Sequence, residues 1–358
     1  MGLTKKKNLV FHLPAGTTPP TRLYTLAAPR ENTPGGAMNI PKVKFAHLPT
    51  VIEPMPRLSI ALNGPQLYVK RDDQTGLGMG GNKTRKLEYV LAQALAEGAK
   101  TLISVGGIQS NHCRQTAAMA AKFGLNCTLV LSGVEPQLPN SNLLLDKLFV
   151  ASIVCTPREK RDETLQRVYQ ESKENGEKPF LIPLGASTPV GALGYVEAMQ
   201  ELEEQGNEYD WIIMASSSAG TQAGMVLGAA MTSFKGKILA ISIDHTVNEL
   251  QNAVADLANQ TGALLGKKIT FNPESILVNA DYLGEGYAIA GKPEFEAIRL
   301  FAEYEGLLLD PVYTGRAAAG MIDLIRKEYF KKSEKILFWH TGGASALFAQ
   351  PYAEQLSA

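Results

Sequence analysis

The sequence lacks the features that mark several large classes of protein. Its three cysteines, Cys113, Cys127 and Cys155, are too few for a disulfide framework and do not have the spacing of a zinc site. No apolar run approaches the roughly 18 residues that a membrane-spanning helix needs. Thirty-five basic residues balance thirty-five acidic ones, so no net field directs the chain to nucleic acid or to an anionic membrane. These absences favour a cytoplasmic enzyme that acts on small molecules.

The chain is long enough for two domains, and 358 residues with 45% hydrophobic and 20% charged side chains are typical of a globular protein. Residues 1–37 differ from the remainder, because they are basic and rich in proline, contain the single acid Glu31, and show no sustained periodicity. We interpret them as a flexible extension and leave open whether it is a targeting segment, an upstream start or a vector-derived remnant. A compact domain is expected to begin at Met38.

Beyond this extension, apolar stretches typical of strands alternate with helical periodicity. The clearest helix has Leu87, Val90, Leu91, Ala94 and Leu95 on one face. Predicted strands cover residues 67–73, 101–107, 127–132, 211–216, 238–243 and 335–340. This alternation predicts an α/β fold with parallel sheets covered by helices.

Four segments carry unusual chemistry where predicted strands end and helices begin, which are the functional positions of an open parallel sheet. They cover residues 76–86, 106–114, 216–224 and 310–315. In the first, four glycines precede Asn82 and Lys83, so the backbone can approach another group closely. Lys83 then begins a helix, where the dipole favours the neutral, nucleophilic amine. The alternative is a glycine-rich turn in which Lys83, Arg85 and Lys86 are solvated. This motif alone does not distinguish a nucleophilic lysine from such a turn.

The other three segments each allow a chemical and a plain structural interpretation. Ser110 and Asn111 begin a predicted helix, and either residue type commonly caps one. Residues 217–221 combine small side chains and hydroxyls at a helix start, which suits a phosphate, although they form neither a Walker A loop nor a dinucleotide fingerprint. Tyr313 and Thr314 lie at the start of the last long predicted helix, where a capping threonine is the alternative.

Together these segments resemble the pyridoxal-phosphate enzymes that include D-cysteine desulfhydrase and 1-aminocyclopropane-1-carboxylate (ACC) deaminase. The motifs VKRDD, GGNKTRKLEY, SVGGIQSNH, SSSAGTQAG, DPVYTG and HTGGASALF occur in the order expected for that family, between about Leu67 and Phe348. The resemblance implies a fold like that of the tryptophan synthase β subunit, with the cofactor between two α/β domains. It implies a large domain of residues 38–85 and 196–358, a smaller domain inserted at 86–195, and a homodimer.

The resemblance also implies roles for individual residues. It makes Lys83 the lysine that holds pyridoxal 5′-phosphate as a Schiff base, and it places Ser110 near the substrate and Asn111 at the phenolic oxygen of the cofactor. Tyr287 and Tyr313 correspond to tyrosines that position the substrate or relay protons. The base that removes the Cα proton stays open between Lys83 and the group of Ser110 and the tyrosines. The implied cofactor-binding residues are Asn82, Lys83, Asn111, Ser217, Ser218, Ala219, Gly220, Thr221, Thr314 and Thr341.

Two threonines distinguish between the activities within this family. The ACC deaminases have a glutamate at the position of Thr314 and a leucine at that of Thr341. A carboxylate beside the pyridine nitrogen makes the ring a stronger electron sink than a hydroxyl does, and opening a cyclopropane needs that sink more than β-elimination does. The threonines therefore favour a D-cysteine desulfhydrase, which releases sulfide, pyruvate and ammonia. The alternatives are an ACC deaminase, a cysteate sulfo-lyase and a non-catalytic cofactor-binding protein.

Overall fold

The computed structural model describes residues 40–206 and 208–357, so the extension proposed for residues 1–37 lies outside the described part of the chain. The described residues form two mainly parallel sheets. Strands β1 to β10 span Ile52–Pro54, Gln66–Lys70, Thr101–Gly107, Asn126–Ser132, Ser152–Thr156, Pro179–Ile182, Trp211–Ser216, Lys237–Ser242, Leu277–Asn279 and Lys335–Trp339.

A helix lies between every two consecutive strands of the described chain, which is the connection that parallel strands require. Helices α1 to α11 span Pro56–Ala61, Lys83–Ala96, Asn111–Phe123, Ser141–Leu148, Arg161–Glu174, Pro189–Glu204, Gly220–Met231, Val247–Leu264, Lys292–Glu305, Thr314–Arg326 and Tyr352–Ser357. Short 3-10 helices lie at Asp72–Gln74, Arg158–Lys160, Leu184–Ala186, Pro273–Ser275 and Ala344–Phe348.

The two sheets have different strand orders. The larger sheet is β1-β2-β10-β7-β8-β9, in which β1 is antiparallel to β2 and the other neighbours are parallel. Phe338 of β10 pairs with Val69 of β2 on one side and with Ile213 of β7 on the other. The smaller sheet, β5-β4-β3-β6, is parallel throughout. This architecture confirms the predicted α/β class with parallel sheets covered by helices.

Each sheet has its own apolar core. Val69, Ile213 and Phe338 are fully buried in the core of the larger sheet, and Leu102 and Leu129 are fully buried in that of the smaller one. Burial of one such side chain stabilises a fold by about 1.5–3 kcal/mol. The limits proposed for the inserted domain, at residues 86 and 195, fall inside helices α2 and α6, which pack against each other. The division into two domains remains a proposal, with these two helices at the junction.

A buried ionic network anchors the start of α2. Arg85 donates to both carboxylate oxygens of Asp72, at 2.8 and 2.9 Å, and to both oxygens of Glu201 at 2.9 Å. The Tyr195 hydroxyl donates to Asp72 at 2.6 Å. Burial by itself would raise the pKa of Asp72, but the Arg85 guanidinium outweighs it and lowers that pKa to about 2. Arg85 lies two residues after Lys83, in the first turn of α2. The network therefore holds the start of α2 in a defined orientation.

Candidate active site

A cavity of about 570 Å³ opens where loops from the two sheets face each other. Its wall includes residues at or just beyond the ends of five parallel strands, namely Gly107, Ser132, Ser216, Asp244 and Thr341. The carboxyl ends of parallel strands are the usual binding edge of an α/β sheet, and this volume suits a cofactor together with a small substrate. Strands of both sheets therefore direct their loops into one site.

The structure brings most of the sequence-predicted residues together in this cavity. The predicted residues that line its wall are Asn82, Lys83, Ser110, Asn111, Ser217, Ser218, Ala219, Thr221, Tyr287, Tyr313 and Thr341. Gly220 and Thr314 do not line it. Gly220 is the first residue of helix α7, whereas the Thr314 hydroxyl is hydrogen-bonded to Asp310.

Lys83 is the first residue of α2, and its side chain is partly exposed to the cavity. The glycine-rich segment before it runs close to other backbone, because a Cβ on Gly80, whose φ is +66°, would lie 2.0 Å from the Asp73 carbonyl oxygen. The backbone N–H of Asn82 donates to the Thr341 carbonyl at 3.0 Å, and Lys83 Nζ donates to Asn82 Oδ1 at 2.9 Å. The segment thus ties the end of β10 to the start of α2 and presents the amine to the cavity.

The surroundings of Lys83 favour its neutral form. Burial is the main cause that lowers the pKa of this amine to about 8; the carboxylate of Asp310 opposes it, and the positive charge of Arg114 adds to it. A far larger fraction of the amine is therefore unprotonated near neutral pH than for a solvated lysine. An unprotonated amine is the form that attacks a carbonyl group.

The alternative in which the neighbouring basic residues are solvated is wrong. Arg85 and Lys86 are both buried. Lys86 Nζ donates to the Gly185 carbonyl at 2.7 Å and to Ser187 Oγ at 3.2 Å, and burial followed by the charge of Lys83 lowers the pKa of Lys86. Its amine is thus held by the segment between β6 and α6.

A cradle for a phosphate forms where β7 leads into α7. Ala219 adopts a positive φ of 65°, and α7 begins with Gly220, where a Cβ would lie 2.6 Å from Ser187 Oγ and 2.9 Å from Lys86 Nζ. Ser216 Oγ is buried and has no hydrogen-bond partner among the described residues. A helix start beside small side chains and an unused hydroxyl on the cavity wall are groups that suit a phosphate. These residues therefore fit the phosphate of the cofactor implied by the sequence.

Ser110 and Asn111 lie at the start of α3 and also line this cavity. Ser110 caps the helix, since its Oγ accepts from the Cys113 N–H at 3.2 Å, and it also lines the cavity, so the capping and the site interpretations are compatible. The Asn111 amide is oriented by Asn142, which donates to Asn111 Oδ1 at 2.8 Å and accepts from Ser345 Oγ at 2.6 Å. This orientation leaves the Asn111 amide nitrogen as a donor for the site.

Tyr287 and Tyr313 form a hydroxyl pair on the cavity wall. Their hydroxyl oxygens are 2.7 Å apart, and their rings meet edge to face with centroids 6.2 Å apart. Burial raises the pKa of Tyr287, and it raises that of Tyr313 further because the partner hydroxyl adds to it. Both hydroxyls therefore stay protonated at neutral pH and can donate.

The two discriminating threonines lie in different surroundings. Thr314 is fully buried, and its hydroxyl donates to Asp310 Oδ1 at 2.8 Å and accepts from the Asp310 N–H at 2.8 Å. Asp310 also accepts the backbone N–H groups of Val312 and Tyr313 at 3.0 and 2.9 Å. Thr314 thus stabilises the turn that presents Tyr313. Only Thr341 of the two threonines reaches the cavity wall.

Sequence reasoning missed two acids, namely Asp244 on the cavity wall and the buried Asp310, which holds the turn before α10. Asp310 belongs to the DPVYTG motif, and an Asp-Pro pair before a helix was the signal that pointed to a capping carboxylate. Asp244 lines the cavity just beyond β8. Its Oδ1 is buried without a hydrogen-bond partner among the described residues, and His245 Nε2 lies 3.7 Å from it. An acid directly after a buried strand was the available signal there.

The fold, and a cavity lined by a lysine at the start of a helix, are those expected of a pyridoxal-phosphate enzyme. The sequence matches the family model described as "Pyridoxal-phosphate dependent enzyme" over residues 43–342, and the chain belongs to that family. The cofactor is accordingly pyridoxal 5′-phosphate. Among the described residues, no helix is both long and apolar enough to cross a membrane.

Similar proteins agree with the resemblance seen in the motifs. The chain is 42% identical to D-cysteine desulfhydrase of Salmonella typhimurium over 318 residues, covering 86% of this chain and 96% of that protein. A solved ACC deaminase homologue superposes with a TM-score of 0.81 at 36% identity, covering 88% of this chain and 95% of the other. A fungal L-serine ammonia-lyase from Rhizomucor miehei, at 16% identity and a TM-score of 0.63 over 87% of this chain and 99% of its own, shares the fold alone. The predicted membership of this group of enzymes is confirmed.

Proposed function

We propose that this enzyme is a D-cysteine desulfhydrase, which converts D-cysteine and water to hydrogen sulfide, pyruvate and ammonia by β-elimination followed by hydrolysis. The observation that carries the proposal is the position of Lys83, which opens on the same cavity as the phosphate cradle and the pair of Tyr287 and Tyr313. The curated relatives at 42% identity are named for this reaction, and that likeness selects D-cysteine among the substrates of such a site.

The bound cofactor supplies electron withdrawal that stabilises negative charge on Cα when its proton leaves. Lys83 Nζ would hold the cofactor and is the proposed acceptor of the Cα proton, with Ser110 Oγ on the same cavity wall as the alternative. Because Tyr287 and Tyr313 stay protonated and share one hydrogen bond, one proton of the pair remains to donate to the departing sulfur. The remaining wall residues orient the substrate and limit the access of water.

The other roles proposed follow the contacts of each residue. Ser217, Ser218, Ala219, Gly220 and Thr221 hold the phosphate. Asn82, Asn111 and Thr341 orient the ring, while Thr314 acts through Asp310 rather than by direct contact. The assembly proposed is a homodimer in the cytoplasm, with the site in a cleft between the larger domain and the domain inserted at residues 86–195.

A substrate panel tests the proposed reaction. The purified enzyme loaded with cofactor is expected to release pyruvate from D-cysteine with a kcat/KM at least about tenfold higher than from L-cysteine. It is expected to release little 2-oxobutanoate from ACC. Pyruvate and 2-oxobutanoate are measured separately by chromatography, and boiled enzyme controls for the chemical loss of sulfide. A preference for ACC or L-cysteine would overturn the substrate proposed, and no product from any substrate would indicate a non-catalytic cofactor-binding protein.

A second candidate function is elimination of an anionic leaving group, and two arginines favour it. Arg158 and Arg161 line the cavity, and the Arg158 guanidinium lies 5.6 Å from the centre of the Tyr287 ring. Among the described residues, no carboxylate lies within ion-pair distance of Arg158, whereas Arg161 pairs with the exposed Asp162. Arginine is suited to a sulfonate or carboxylate. Cysteate in the same panel distinguishes a sulfo-lyase, which would release sulfite and pyruvate from it faster than sulfide from D-cysteine.

The pKa of Lys83 predicts how cofactor attachment depends on pH. The rate at which pyridoxal 5′-phosphate attaches to the cofactor-free chain is expected to rise as pH increases through about 8, because the neutral amine forms there rather than near the ordinary 10.5. Stopped-flow absorbance of the attached cofactor measures this rate, and a free lysine derivative provides the reference. A rate that climbs only near the pH at which the free derivative reacts would contradict the lowered pKa.

A further inference from the structure

Tyr287 lies in a segment that has no regular structure of its own. Residues 280–291, between β9 and α9, form only turns and irregular backbone. Nevertheless the Tyr287 hydroxyl is held at 2.7 Å from that of Tyr313, which lies at the start of α10. Contacts with residues outside the segment, apolar packing among them, hold it in position relative to α10.

Arg316, in the first turn of α10, makes that connection. Its side chain is 1% exposed. Nη1 donates to the Ile243 carbonyl at 3.0 Å and to the Gly286 carbonyl at 3.1 Å, and Nη2 donates to the Ile289 carbonyl at 2.7 Å. Nε donates to Glu294 Oε1 at 2.8 Å. One guanidinium thus joins the end of β8, the irregular segment and helix α9.

The carbonyls that Arg316 binds belong to residues next to the site. Ile243 precedes Asp244 and Gly286 precedes Tyr287, and both Asp244 and Tyr287 line the cavity. We propose that Arg316 is a positioning residue, which sets the distance of Tyr287 and Asp244 from Tyr313 and so shapes the wall around the substrate. The proposal rests on the proposed function, in which the tyrosine pair acts on the substrate.

The chemistry of arginine explains why this residue type is present. A planar guanidinium offers donors in fixed directions, so it can hold four acceptors at once, whereas a lysine amine is a compact charge with three donors. Burying a charge is costly, and Glu294 compensates it only in part. A buried ion pair of this kind adds little net stability compared with apolar side chains, which points to position rather than stability as its contribution.

A second contact from α10 holds the same segment. The Tyr282 hydroxyl donates to Asp323 Oδ2 at 2.7 Å, and a Cβ added to Gly320 would lie 2.9 Å from the Tyr282 ring. Arg316 and Asp323 are seven residues apart, two helical turns, and so lie on one face of α10. The helix that begins beside Tyr313 therefore also determines where the segment carrying Tyr287 lies.

A double-mutant cycle tests whether Arg316 acts through Tyr287. Arg316→Lys keeps the positive charge but removes the planar guanidinium and its fixed donor directions. We expect this variant to lower kcat for D-cysteine by about 10²-fold, since small displacements of positioning groups have effects of that size. In a Tyr287→Phe background the same change is expected to cost no more than about twofold. The cofactor Kd is expected to stay close to that of the wild type, because no contact of Arg316 goes to the phosphate cradle. Arg326→Lys is the matched control, since Arg326 also joins α10 to α9, through an exposed pair with Glu296.

Hydrogen–deuterium exchange of the cofactor-loaded protein gives a readout that does not depend on turnover. Arg316→Lys is expected to accelerate exchange in residues 280–291 and to leave the other strands and helices unchanged, while Arg326→Lys changes neither. If Arg316→Lys does not fold, Glu294→Gln retains the guanidinium, removes its charged anchor, and is expected to show the same local effect more weakly. If Arg316→Lys lowered kcat by the same factor with Tyr287 and with Phe at position 287, Arg316 would have a general structural role. Faster exchange throughout the chain would lead to the same conclusion. A wild-type enzyme inactive on D-cysteine would instead refute the proposed substrate and leave the exchange result valid.

Discussion

The Lys83→Ala variant is expected to fold normally, to bind no cofactor covalently, and to lose D-cysteine turnover by about 10³-fold or more. The fold should persist because, among the described residues, Lys83 Nζ donates only to the neighbouring Asn82, whereas the direction of α2 depends on Arg85 and its buried carboxylate partners. The loss of turnover would follow from removing one amine that is proposed both to attach the cofactor and to accept the Cα proton. Circular dichroism checks the fold, and pyruvate release checks the turnover.

Borohydride reduction of the wild-type enzyme locates the attachment directly. The pyridoxyl group is expected on the peptide that contains Lys83, and mass spectrometry can separate Lys83 from Lys86 within it. Lys86 is the internal alternative, but its amine already donates to the Gly185 carbonyl at 2.7 Å. Lys122→Ala, which alters an exposed lysine at the end of α3, is the control and should retain the adduct and full turnover. An adduct on Lys86 would overturn the assignment of the cofactor lysine.

The sequence predicted the interior strands of both sheets and missed the edges. The predicted strands at 101–107 and 211–216 coincide with β3 and β7, which lie inside the two sheets. The unpredicted strands β1, β5, β6 and β9 are all edge strands. An edge strand is paired on one side only and partly exposed, so it does not need the continuous apolar run that identifies a strand buried on both faces.

The individual loops of the site could be predicted from the sequence, but the contacts between those loops and the rest of the chain could not. Lys83 was identifiable because the glycines and the helix start that mark it are adjacent to it in the sequence. The partners that give each side chain its chemistry are distant in the sequence. Lys86 and the Gly185 carbonyl are 99 residues apart, and Arg316 and the Ile243 carbonyl are 73 apart. Local patterns do not encode such pairs, because they depend on how the two sheets and their helices pack.

The largest change of reaction type is expected from Thr314→Glu combined with Thr341→Leu. This double variant is expected to lose D-cysteine turnover by about 10²-fold or more and to gain measurable release of 2-oxobutanoate from ACC. At position 314 the glutamate would lie beside Asp310, whose Oδ1 is 2.8 Å from the present hydroxyl. Two carboxylates this close do not both ionise when buried, so one of them takes up a proton. The family resemblance implies that a glutamate at this position faces the pyridine nitrogen of the cofactor, with which it would share that proton; each unit of raised pKa there would be worth about 1.4 kcal/mol.

Position 341 acts on substrate fit rather than on the ring. Thr341 lines the cavity and its backbone carbonyl already holds Asn82, so the Thr341→Leu change would keep the backbone contact and replace a hydroxyl with apolar bulk. Such a wall suits a compact hydrocarbon ring better than a thiol-bearing side chain. Two single variants separate the contributions of positions 314 and 341. Thr314→Ser retains a hydroxyl for Asp310 and should preserve turnover of D-cysteine within about threefold. Thr341→Val removes the Thr341 hydroxyl and so tests its loss alone. If the double variant turned over D-cysteine as fast as the wild type, the two threonines would not determine the reaction, and the electron demand on the cofactor ring would have to be controlled by other residues.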